Sequence, residues 1–383
     1  MEDKHLLMIP GPTPVPEKVL LAMAKRPIGH RSGDFSKIIA EINDGLKWLH
    51  QTQNEVLSLN VSGTGAMEAG MINFLSPGDR VLVGVNGKFG DRWAQICEVF
   101  GLDTVRISAE WGQPLDTEEI RSHLEGDSNK EIKAVVITHS ETSTGVLNDL
   151  ETISKHIKAH GTALSIVDAV TSLGAYNVPI DDWGLDVVAS GSQKGYMIPP
   201  GLGFICVSDK AWKAYETCKF PRFYMDLGKY KKANQKASTP FTPPVNLMYG
   251  LQESLQMMQR EGLESIFSRH MRLTKAVRAA VEGLGLKLFA ADDCASTAVT
   301  AIDPAPVNIN AEDIRKIMKD KYGISLAGGQ DHLKGKIFRI GHLGFVSDRD
   351  MLMGIACLEA TLNELGHDVK PQAGVKAAAA VMA

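Results

Sequence analysis

The chain has 383 residues, of which 44% are hydrophobic and 22% charged, values near those of ordinary globular proteins that argue against a disordered or fibrous polymer. That length predicts two domains rather than one. A net charge of −4 supplies neither the basic footprint of a nucleic-acid binder nor a cationic face for a membrane.

The N-terminal stretch MEDKHLLMIPGPTPVP meets prolines before any long apolar run, so no secretory leader is expected. Residues 1–18 read as an N-terminal segment. Phe35, Ile38, Ile39, Ile42, Leu46 and Leu49 then recur on one helical face, with Asp34 available as a cap. Short β-branched runs follow at 81–85, 134–138, 165–170, 187–190 and 203–208. Between two of them lies a helix with Leu150, Ile153 and Ile157 inward and Gly161 as its stop. Continuous apolar strands between amphipathic helices predict an α/β fold with a mostly parallel sheet covered on both faces.

Residues 219–245, rich in Lys, Pro and Thr, read as irregular. A long helical region is expected from about Asn246 to Leu286, with the domain boundary near residue 275. The reading is thus a large domain over 19–275, a smaller α+β domain over 276–368, and a disordered Ala-rich tail over 369–383. No apolar stretch reaches the roughly 18 residues of a membrane span. The five cysteines form no C-x-x-C pair and have no histidine cluster. Free thiols in a reducing cytoplasm are therefore expected, with no disulfide framework and no metal site.

In such a sheet, ligands collect beyond the carboxyl ends of the strands, and four features sit there. The turn VSGTGAMEAG, residues 61–70, follows an apolar run and opens a helix, where backbone amides and the helix dipole suit a phosphate. Glycine-rich strand–helix turns are also common without any ligand, and this one lacks the Walker and G-x-G-x-x-G patterns. Asp168 closes an apolar strand, either as a turn residue or as the partner of a buried cation. Lys194, in SGSQKGYMIPPG, has loop-forming neighbours rather than the charged company of a surface helix. A cleft there would lower its pKa and prepare it as a nucleophile or base. Arg339 interrupts an apolar run and is either a buried ion-pair member or a receptor for a substrate carboxylate.

The ordered set SGTGAMEAG, NGKFGDRW, HSETSTGVL, VDAVTS, SGSQKGY, TPFTPPV and FRIG resembles the class V, fold type I aminotransferases that use pyridoxal 5′-phosphate. The likeness is greatest to the alanine–glyoxylate and serine–glyoxylate (serine–pyruvate) group. The resemblance implies that Lys194 holds the cofactor as a Schiff base and moves the proton. It makes Asp168 the partner of the pyridine nitrogen, with Val170 and Phe89 on opposite ring faces. Thr64, Gly65, Ala66 and Gln193 would hold the phosphate, and Thr142 would lie by cofactor and substrate. Thr242 would reach the site of a neighbouring subunit, so a homodimer is implied. Arg339 would take the substrate carboxylate, with Gly29 at the mouth. Thr239 stands where some members have tyrosine. The implied reaction is ping-pong transamination from alanine or serine to glyoxylate or another 2-oxo acid.

The nearest alternative on this fold is a cysteine desulfurase or carbon–sulfur lyase, for which Cys294 is the one loop-like cysteine. A nucleotide-dependent oxidoreductase using the 61–70 turn is a further alternative.

Overall fold

The computed structural model describes residues 5–382; Met1–Lys4 of the N-terminal segment and Ala383 of the tail lie outside them. Seven strands form one sheet, in the spatial order Val56–Leu59, Gly203–Val207, Val187–Gly191, Leu164–Asp168, Ile132–Thr138, Arg80–Val85, Asp103–Ser108. Gly203–Val207 runs antiparallel to both neighbours, and every other pairing is parallel. The α/β fold with a mostly parallel sheet is therefore what the apolar runs predicted.

Strand alternation divides the interior in two. Leu82, Val135, Val167 and Val188 face one core with the helices Gly33–His50 and Val245–Glu261. Val83, Val136, Ile166 and Val187 face the other, with Met67 and Trp93 from the helices Gly63–Ile72 and Lys88–Val99. Side chains of successive strand residues point to opposite faces, so both layers are apolar and the strands read as unbroken runs.

A second sheet of five strands orders Leu6–Met8, Ile324–Gly328, Phe338–Gly341, Val299–Asp303 and Lys287–Leu288. The N-terminal segment thus supplies an edge strand to the C-terminal sheet, pairing Leu6 with Ile324 and Met8 with Leu326. The change of core falls inside the helix Leu263–Gly283: Ile266 packs in a core of the seven-stranded sheet, and Leu273, Val277 and Val281 pack in that of the five-stranded sheet.

Four local expectations need correction. The helical region after Asn246 is two helices, Val245–Glu261 and Leu263–Gly283, divided by Gly262 at φ +83°, a conformation that glycine adopts without a Cβ penalty. Residues 219–245 contain the helix Leu227–Asn234, capped by Asp226, which accepts from the Gly228 amide at 3.1 Å. The cap of Gly33–His50 is Ser32, whose Oγ accepts from the Phe35 amide at 3.3 Å. Asp34 already lies within the first turn, past the extended residue that a cap must be.

The tail is ordered as the helix Ala373–Met382, with Gly374 and Ala378 buried. Alanine is the strongest helix former, and the Glu359 carboxylate accepts from the Gln372 and Gly374 amides at 2.5 and 3.2 Å. No helix among the described residues is long and apolar enough to cross a membrane.

Candidate active site

Lys194 follows the strand Val187–Gly191 in a loop pinned on itself. The Ser192 amide donates to the Leu202 carbonyl at 3.0 Å, and the Ser192 hydroxyl accepts from the Leu202 amide at 3.2 Å and donates to the Pro199 carbonyl at 2.8 Å. Two residues on, buried Tyr196 meets His50 at 2.7 Å and Ser190 at 2.8 Å. This anchoring leaves the Lys194 amine little freedom. It is 9% exposed, and Nζ donates to the Pro10 carbonyl at 2.6 Å. Burial lowers its pKa from the ordinary lysine value to about 8, with Asp168 opposing and the Arg339 and Arg92 charges assisting.

Asp168 ends the adjacent strand, in register with Ala189. The carboxylate is buried, and its Oδ1 accepts from the Val170 amide at 2.9 Å. Burial pushes its pKa up to about 6, against the pull of Lys194 and Arg92. It has no salt bridge among the described residues. A buried carboxylate with one amide donor calls for a cation, and a protonated ring nitrogen meets that demand.

The helix Gly63–Ile72 begins beside them. Ser62 caps it through Gly65, and the Ala66 amide is held by the Ser62 carbonyl at 3.0 Å. Of the expected phosphate cradle, Gly65 and Ala66 therefore already have partners, while the first-turn amides of Gly63 and Thr64 face out of the helix end. Gln193 has a buried Oε1 without a hydrogen-bond partner. Val170 packs on Gly63, where an added Cβ would lie 3.2 Å from Val170 Cγ2. Thr64 accepts from Arg92 at 3.1 Å, and the Arg92 guanidinium stands 4.9 Å from the centre of the Phe89 ring. An aromatic face, a valine, outward amides and an orphan amide fit a flat, phosphorylated pyridine.

Arg339 enters from the strand Phe338–Gly341 of the five-stranded sheet. Its Nε and Nη2 donate to the Gly328 carbonyl at 3.0 and 2.7 Å, and its Nη1 to the Thr142 carbonyl at 2.7 Å. No acidic residue among the described ones pairs with it, so the ion-pair alternative fails. Burial lowers its pKa to about 10. Lys194, Phe89, Thr142 and Arg339 line one cleft of about 440 Å³. Gly29 and Thr242 are exposed and do not line it; Thr242 instead accepts from Asn60 Nδ2 at 2.8 Å. Cys294 is buried with Val146 and Ala290, away from the cleft wall, and burial raises its thiol pKa.

Three contributors escaped the sequence reading. Glu141 is fully buried, accepting from the Phe89 and Gly90 amides at 3.0 Å each, and so sets the start of the helix that presents Phe89. Arg92 joins Thr64 to Phe89. The Pro10–Gly11 backbone closes over Lys194, and a Cβ at Gly11 would lie 2.6 Å from its Nζ. The only signal for Glu141 was an acid in an otherwise small and hydroxylic loop.

A family model, aminotransferase class-V, matches residues 6–341, and the chain belongs to that family. It is 65% identical over 383 residues to a protein named "soluble hydrogenase, small subunit" from Synechococcus sp. (strain PCC 6716), covering 100% of this chain and 99% of that one. It is 39% identical to the serine–glyoxylate aminotransferase of Methylorubrum extorquens, covering 99% of this chain and 96% of that one. The ureidoglycine–glyoxylate aminotransferase of Bacillus subtilis superposes with a TM-score of 0.94 at 29% identity, over 100% of this chain and 98% of that one. The protein is an aminotransferase of fold type I, and pyridoxal phosphate is its cofactor.

Proposed function

We propose that the enzyme moves an amino group from alanine or serine to glyoxylate or another 2-oxo acid, in ping-pong order. The observation that carries this is the meeting of Lys194 and Arg339 on one cleft wall, with Arg339 free of any acidic partner among the described residues. When bound, pyridoxal phosphate supplies an electron-poor ring that stabilises negative charge at the substrate Cα.

The chain's own residues do the rest. Asp168, buried and short of partners, holds a proton on the ring nitrogen. The first-turn amides of Gly63 and Thr64, with Gln193, take the phosphate. Val170 and Phe89 bracket the ring. Arg339 binds the substrate carboxylate through the outer edge of its fork, which orients the Cα–H bond toward Lys194. Lys194 Nζ takes that proton and later returns it, and a pKa near 8 leaves a useful fraction of neutral amine at neutral pH.

A homodimer with the active site at its interface is part of this reading. Gly29 and Thr242, both expected at the site, are exposed and off the cleft of their own chain, as residues serving a partner's site would be. The five free thiols suit a cytoplasmic enzyme. Assays of alanine and serine against glyoxylate and pyruvate test the reaction. A hydrogen-uptake assay run beside them tests the chemistry suggested by the cyanobacterial relative's name. Turnover in the first and none in the second is expected; the reverse would overturn the proposal.

A further inference from the structure

Four bonds leave the Cα of an amino donor. In the transamination reading its nitrogen goes to the cofactor, its carboxylate to Arg339 and its hydrogen toward Lys194. The side chain is left without a receptor.

Gln330 lines the same cleft as Lys194, Phe89 and Arg339. Its Oε1 is buried and has no hydrogen-bond partner, and among the described residues no other side chain on this wall has such an orphaned polar atom. A buried amide oxygen left unpaired costs free energy until a donor reaches it. The charged neighbours do not answer it. Arg315 is occupied with Glu312 and with the Leu326 carbonyl at 3.0 Å, and Lys319 is exposed.

The turn that carries Gln330 is held on both sides. Before it, the Gly328 carbonyl takes two hydrogen bonds from Arg339, at 3.0 and 2.7 Å, and the Gly329 amide donates to the Ile337 carbonyl at 2.9 Å. The Gln330 carbonyl itself accepts from the Leu333 amide at 2.9 Å. After it, Asp331 pairs with Lys88 at 2.9 Å, and the His332 ring centre lies 4.5 Å from that of Trp111. Lys88 opens the helix that presents Phe89. The Gln330 amide is thus fixed between the residue proposed for the carboxylate and the helix that carries the ring-stacking aromatic.

A hydroxyl suits such an amide. It can donate to Oε1 or accept from Nε2, whichever way the amide turns. A methyl group can do neither, and leaves the oxygen unpaired when it binds.

We propose that Gln330 is a specificity residue of this cleft, its side-chain amide hydrogen-bonding a hydroxyl on the donor's Cβ and so telling serine from alanine. This rests on the transamination reading of the same cleft, to which it adds the residue that separates the two donors.

The test measures kcat/KM for serine and for alanine, with glyoxylate as acceptor, in the wild type, Gln330→Met and Gln330→Glu holoenzymes. The serine-to-alanine ratio falls about three- to tenfold in Gln330→Met, the usual size of one neutral hydrogen bond. Gln330→Glu keeps an acceptor of the same shape, and its ratio stays above that of Gln330→Met. A residue that only shapes the turn would weaken both donors alike, so a wild-type ratio in Gln330→Met, or a Gln330→Glu ratio no higher than it, overturns the proposal. Titration calorimetry with 3-hydroxypropionate and propionate reads the same amide without turnover. The hydroxy acid binds the wild type more tightly, and Gln330→Met brings the two affinities together; equal affinities in the wild type overturn the proposal. Should no amino donor be turned over, the transamination reading falls, while the hydroxy-acid preference still reports on Gln330.

Discussion

Lys194 Nζ donates to the carbonyl of Pro10 at 2.6 Å, which ties this buried amine to the N-terminal segment. That segment is carried by the strand Leu6–Met8 on the five-stranded sheet. The glycines of FRIGHLG seat it: a Cβ at Gly341 would lie 2.3 Å from the Ile9 carbonyl carbon, and one at Gly344 would lie 3.1 Å from Thr13 Oγ1. The five-stranded sheet, the N-terminal segment and the Lys194 loop are therefore in direct contact.

Gly11→Ala tests this coupling. Gly11 has φ +142°, and an added Cβ would lie 2.6 Å from Lys194 Nζ. The variant should keep its fold yet lose roughly 10- to 100-fold in kcat, the scale expected when a reacting group is displaced by about 1 Å. Steady-state kinetics at saturating donor checks it; wild-type kcat would show that the segment does not position the amine.

Asp168→Asn sets function against stability. The folded carboxyl has its pKa raised to about 6, so the folded state binds the proton more tightly than the unfolded chain does. Its favourable contribution is complete below the unfolded carboxylate pKa and is lost as pH rises through about 6. Without cofactor, the variant should therefore melt higher than wild type at pH 7.5, with the difference vanishing near pH 4. With cofactor it should lose at least 100-fold in kcat, since the ring nitrogen is no longer kept protonated. Calorimetric scans at the two pH values and one activity assay decide both halves.

Arg339→Ala removes the proposed carboxylate receptor. The loss in kcat/KM should be about 2–5 kcal/mol, the range for truncating one member of a buried charge pair. The deficit should be common to every amino donor tried. A donor used as well as by wild type would contradict the assignment.

Glu141→Ala removes the acceptor for the Phe89 and Gly90 amides and for the Ser143 amide at 3.1 Å. Leaving those donors buried and unpaired should destabilise the protein by about 2–3 kcal/mol, read as a lowered Tm of the cofactor-free protein. Cofactor affinity should fall as well, because Phe89 loses its support.

Asp168, Lys194 and Arg339 were visible in the sequence because each charge sits against its local pattern. Asp168 ends and Arg339 interrupts an apolar run that reads as a buried strand, and Lys194 stands just after one among loop-forming residues rather than charged ones, so each charge lies where a solvated surface does not explain it. Their roles came from the family pattern rather than from spacing. Glu141 offered no such contrast, because two of its four hydrogen bonds stay within its own loop at Ser143, and the two that matter for Phe89 reach a helix some fifty residues earlier. The tail was misread because alanine-rich sequence is helical when a surface is available to receive it, and that surface, on Leu263–Gly283, is remote in sequence. Gly262 passed as one tolerated glycine because periodicity on both sides suits a single helix.

The central claim is that Lys194 holds the cofactor. Borohydride reduction of the purified holoenzyme, followed by proteolysis and mass measurement of the peptides, tests it most directly. Loss of the yellow colour is expected, with a phosphopyridoxyl mass on the peptide containing Lys194 that is absent in Lys194→Ala. A label on any other lysine, or full transaminase turnover by Lys194→Ala, would contradict it.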